Sequence, residues 1–75
     1  MARMHTVPTP EELQRIRDRV ADGERLVSEQ RGRIAELARD GHSTTSAARL
    51  LDTFERTLEI MRELLATEER LASGR

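Results

Sequence analysis

Asp40-Gly41-His42-Ser43, followed by Thr44 and Thr45, is the break that decides the fold. It separates two long runs that contain no proline after Pro10. Gly41 falls just past the end of the first run, where a left-handed residue closes a helix and glycine adopts that conformation without strain. Ser43 or Thr44 then offers an N-cap for a second helix. A connection of about two to four residues between long helices makes them antiparallel neighbours. The turn therefore reads as Gly41, His42 and Ser43, spanning 41–43.

On the N-terminal side of this turn, Thr9-Pro10-Glu11-Glu12 is a helix start. The Thr9 hydroxyl can accept from the Glu12 N–H, and the Glu12 carboxylate can accept from the Thr9 N–H, which completes a capping box. Pro10 sits at the first helical position, where its missing N–H costs nothing. From Leu13 the apolar residues step by three and four. Written as heptads, position a holds Leu13, Val20, Val27 and Ile34, and position d holds Ile16, Gly23, Gln30 and Leu37. That period is the one of a coiled-coil-like seam. The spacing predicts a helix over 10–40, about 45 Å long. Residues 1–8 show no period and read as a flexible tail.

On the C-terminal side the seam is Ala47, Leu51, Phe54, Leu58, Met61, Leu65, Glu68 and Ala72, which predicts a helix over 44–72. Residues 73–75 read as a frayed end. The hairpin core is then Leu13, Ile16, Val20, Val27, Ile34 and Leu37 against Leu51, Phe54, Leu58, Met61 and Leu65. Gly23 is expected opposite Met61 or Leu65. Gln30 is expected near Phe54 or Leu58, partly exposed. The second helix also carries an extra stripe of Leu50, Thr57, Ile60, Leu64 and Leu71. One hairpin partner covers only one seam, so this stripe is left facing water, and an apolar strip of that length marks an association surface. The fold class expected is all-α: an antiparallel two-helix hairpin that dimerises through the stripe into a four-helix bundle.

The stretches Val20-Ala21-Asp22-Gly23-Glu24-Arg25, Ile34-Ala35-Glu36-Leu37, Asp40-Gly41-His42-Ser43-Thr44-Thr45 and Phe54-Glu55 carry a resemblance. The chain resembles a group of short helical-hairpin proteins of rhizobia-like alphaproteobacteria, over about residues 20–55. The resemblance implies the hairpin and brings no activity with it. In that group an Asp stands where this chain has Ser43, an acidic residue where it has Ser46, and often a His where it has Leu26. The loss of both acids implies weaker capping of the second helix.

Composition limits what the chain can do. Among 75 residues, 36% are charged and 36% hydrophobic, with Phe54 as the single aromatic and no cysteine. No disulfide scaffold or thiolate metal site is open to it. A chain this short seldom builds a sufficient core alone, which again points to a homodimer. The net charge of -1 argues against a dedicated nucleic-acid module. No apolar run approaches the roughly 20 residues needed to span a bilayer. Met1 to Pro10 has no apolar signal-peptide core, so a cytoplasmic location away from membranes is expected.

Candidate chemistry is thin. His42 beside Asp40, Ser43 and Thr44 reads as turn geometry rather than a catalytic pair, because a hairpin turn offers no dry, concave site. His5 reads as a solvated tail residue. Glu59, Glu63, Glu68 and Glu69 lack the Glu-x-x-His motif of a di-iron bundle, and Glu68 is expected to reach water, Arg15 or Arg19. Arg15, Arg17, Arg19, Arg25, Arg31 and Arg33 are interleaved with Asp18, Asp22, Glu24 and Glu29. They read as a salt-bridged surface, with Glu11–Arg15, Glu29–Arg33 and Asp52–Arg56 in the favourable order. No enzyme activity, cofactor or metal is expected. The function expected is a protein-interaction module, a small regulator or adaptor; the alternative is a nucleic-acid-associated protein using the first helix's arginines.

Overall fold

The computed structural model describes residues 7–74. Those residues form two helices, α1 (Pro10–Arg39) and α2 (Thr45–Ser73), with no strand among them. The helices pack against each other as an antiparallel hairpin. Residues 1–6, which include His5, and Arg75 lie outside the described residues.

The capping box at the start of α1 is formed. The Glu12 N–H donates to the Thr9 hydroxyl at 3.1 Å, and the Thr9 N–H donates to Glu12 Oε1 at 2.8 Å. Pro8 is buried, as is Leu13, and the two occupy the flanking positions of a hydrophobic staple. Pro8 therefore belongs to the packed hairpin and not to a tail ending at residue 8. At the other end, Gly41 has φ +76°. The Gly41 N–H donates to the Ala38 carbonyl at 3.1 Å and the His42 N–H to the Leu37 carbonyl at 2.9 Å. Those are the two bonds of a Schellman closure, and they end α1 at Arg39 with Asp40 as the cap.

The second helix is less well started. Thr44 is the N-cap but makes no side-chain capping bond, and the first turn holds no acidic residue. Ser43 supplies a local substitute, its hydroxyl accepting from the Thr45 N–H at 3.3 Å. The far end closes on Gly74, which has φ +77°. Ser73 lies inside the last turn and donates to the Glu69 carbonyl at 3.0 Å, so the helix continues past residue 72 and the end is not frayed at Ser73.

Along the seam, Leu13, Val20, Val27 and Leu58 are buried. Ile16, Ile34, Leu37, Leu51, Phe54, Met61 and Leu65 are half-buried. Leu58, rather than Met61 or Leu65, is the residue against Gly23. A Cβ placed on Gly23 would lie 3.0 Å from Leu58 Cδ1. A knob seats between residues of the facing helix rather than head-on against one, and Leu58 fills the space bounded by Gly23 and Val27. Gln30 is buried, at 6% exposure, instead of partly exposed. Its amide donates to the Ala47 carbonyl at 3.0 Å, so the single polar seam residue is satisfied by the first turn of α2.

The hairpin is a rod of 57 × 21 × 17 Å. Its radius of gyration is 17.0 Å; a compact domain of this length would have about 11 Å. Two helices side by side enclose no layer, so no side chain among the described residues falls below 2% exposure.

Candidate protein-interaction face

The two edges of the seam differ. One edge carries interhelical ion pairs: Arg17–Glu69 at 3.4 Å, Glu24–Arg62 at 3.0 Å and Arg31–Glu55 at 2.8 Å. On each helix these residues recur every seven positions, and their signs alternate. Each pair is half exposed, so each contributes only about 0–1 kcal/mol. Their larger effect is on register. Sliding one helix by a heptad would set Arg17 against Arg62 and Glu24 against Glu55, replacing attraction with repulsion.

The opposite edge is apolar on α2. Leu50, Thr57, Leu64 and Leu71 recur every seven positions there, with Ile60 beside them. In the single chain all five are exposed. Ile60 reaches 64% and Leu50, Leu64 and Leu71 lie between 41% and 45%. Leu26 of α1, 40% exposed, adds to the same side. Between the helices on this side runs a groove of about 410 Å³, walled by Gly23, Leu26, Phe54, Thr57 and Met61. From Leu50 to Leu71 the stripe runs about 32 Å.

The other candidates are not assembled into a site. The His42 side chain is exposed, and its backbone N–H serves the α1 cap. Glu59 and Glu63 are exposed, Glu69 is engaged by Arg17, and half-buried Glu68 lines a rim with Arg15 and Arg19. Among the described residues no group of three or more His, Asp or Glu is placed to hold a metal ion. Likewise, no helix among them is long and apolar enough to cross a membrane.

Of the three expected ion pairs within a helix, Asp52–Arg56 forms at 2.9 Å. Glu11–Arg15 and Glu29–Arg33 do not form among the described residues. Glu29 turns instead to Arg25, at 3.7 Å, and Arg25 also binds Asp22 at 3.1 Å. The hydrogen bond that Arg25 donates to Asp22, with the charge of Glu29, raises the Arg25 pKa above its ordinary value.

Two features of this face escaped the sequence reading. The ion-pair ladder could have been found from the e positions of the two heptads, which hold alternating charges. Leu26 carries the same signal at a g position, where it stands among Glu12, Arg19 and Arg33. Comparison of the chain with protein-family models, with curated proteins and with solved structures finds no match.

Proposed function

We propose that the chain is a non-enzymatic protein-interaction module that assembles as a homodimer through the Leu50, Thr57, Ile60, Leu64 and Leu71 face of α2. The product is a four-helix bundle, acting as a small regulator or adaptor through helix packing. The observation that carries this reading is the exposure of four large aliphatic side chains on one face of α2, along the edge opposite the ion-pair ladder. Water contact on that face costs roughly 25 cal/mol per Å² of apolar surface, and a partner removes the cost.

The ion pairs also bear on the nucleic-acid alternative. Arg17, Arg25 and Arg31, three of the seven α1 arginines, are already paired with carboxylates, which a phosphate would have to displace. Binding to mixed DNA or RNA is expected to be absent at physiological salt.

Leu64→Glu tests the reading. A charge in the middle of the face is expected to convert a two-chain mass into a one-chain mass and to lower the melting temperature. An unchanged mass would show that association, if any, uses another surface.

A further inference from the structure

The exposed stripe is evenly spaced about a midpoint of α2. From a point between Ile60 and Met61, Thr57 and Leu64 lie equally far on either side, and so do Leu50 and Leu71. We propose that two copies stack antiparallel, α2 on α2 and α1 on α1, about a two-fold axis that crosses this point. The proposal rests on the homodimer reading above and specifies its topology. Leu50 of one copy then faces Leu71 of the other, Thr57 faces Leu64, and the two Ile60 side chains meet at the axis.

Charge supports this arrangement. Arg56 lies four residues before Ile60 and Glu63 three after it, so both border Ile60 on the same flank. Antiparallel helices set like flanks together, as the Arg17, Glu24 and Arg31 ladder does within one hairpin. Arg56 of each copy, which also pairs with Asp52 of its own helix at 2.9 Å, therefore comes within reach of Glu63 of the other, twice by symmetry. Glu63 is exposed and makes no ion pair among the described residues.

The facing side of α1 matches as well. Gly23 meets Leu58, so the axis falls near Val20 and Ala21 of the antiparallel α1, less than a turn from Asp22. Arg15 and Glu29 lie seven residues before and after Asp22, so each comes within about a turn of its opposite charge on the other copy, although Glu29 also contacts Arg25 of its own helix at 3.7 Å. The two Asp22 side chains come near each other at the axis, where each is paired with its own Arg25 at 3.1 Å and exposed to screening by salt. Arg49 and Arg70 oppose each other at the ends, where water and salt screen them.

Area and composition select the same topology. A 29-residue helix about 43 Å long and 10 Å wide offers on the order of 430 Å², while a specific interface needs about 800 Å² per partner. Both helices of the hairpin must therefore face the second copy. An axis running along the helices would lay the α2 stripe on α1 instead. There it would meet Arg15, Arg19, Asp22 and Glu29, with Leu26 as the one large exposed aliphatic of α1.

The chain has no cysteine, so single cysteines report proximity without background. Ile60→Cys is expected to form a disulfide-linked dimer on mild oxidation. Leu50→Cys and Leu71→Cys are each expected to stay unlinked alone, because the two copies of either residue lie about 31 Å apart, far beyond disulfide reach. Mixed under reducing conditions and then oxidised, the two are expected to link to each other. Self-linking of Leu50→Cys would overturn the topology. So would a two-chain mass, by sedimentation equilibrium under reduction, with no linkage at Ile60→Cys; the homodimer reading would then stand alone. A one-chain mass would overturn both.

Discussion

Two glycines sit inside α1, and they separate helix propensity from packing. Gly32 has open space where a Cβ would stand, whereas at Gly23 a Cβ would press on Leu58 Cδ1 at 3.0 Å. Alanine gains up to about 1 kcal/mol over glycine inside a helix. Gly32→Ala is therefore expected to raise stability by about 0.5–1 kcal/mol in urea unfolding. Gly23→Ala is expected to return less than half of that gain, because Leu58 must shift to make room. Equal gains at the two sites would show that Gly23 is not a close-approach position. The heptad pattern marks Gly23 as a seam residue but not which side chain fills its space. That depends on how the helices interlock, as does the burial of Gln30. A polar residue at position d is compatible with exposure or with a buried bond, and only the nearby Ala47 carbonyl decides.

At the scale of the element, the two helices start with unequal support. α1 has a complete capping box, two first-turn acids and a proline at its first position. α2 has a threonine cap without a side-chain bond. Thr9→Ala is expected to cost about 1 kcal/mol, measured by the midpoint of urea unfolding. Thr44→Asp is expected to stabilise by about 0.5–1 kcal/mol through the missing cap bond and the helix dipole. Amide exchange over the first turn of α2 is expected to slow in the same variant; unchanged exchange would show that Ser43 already holds the turn. Both helices and the turn between them were legible in the sequence because capping residues, glycine and the seam period all act locally. Their ends shifted by about one residue, the ordinary uncertainty of helix ends. The pairing of Glu29 was not legible, since Arg25 and Arg33 both lie within reach on the same helix and rotamers choose between them.

For the whole molecule, the sequence arithmetic and the rod shape express one deficit. Equal shares of charged and apolar residues are sorted by the heptad onto separate lines, but a two-helix rod buries only one of the two apolar lines. Leu13, Val20, Val27 and Leu58 make up the buried apolar core of the described residues, with aliphatic side chains left outside along α2. The ion-pair ladder fixes the register and adds little energy, so folding and association are expected to be coupled. If Arg56 and Glu63 pair across copies, Glu63→Arg is expected to weaken the dimer about tenfold, and Arg56→Glu combined with Glu63→Arg to restore most of the loss. Failure of the double variant to recover would place the charges elsewhere. Closure of the α2 face by a second copy is read from sedimentation equilibrium of the full chain at micromolar concentration. The expected result is twice the 8.6 kDa chain mass, together with a melting temperature that rises with protein concentration. A folded species of 8.6 kDa whose melting temperature does not depend on concentration would contradict it.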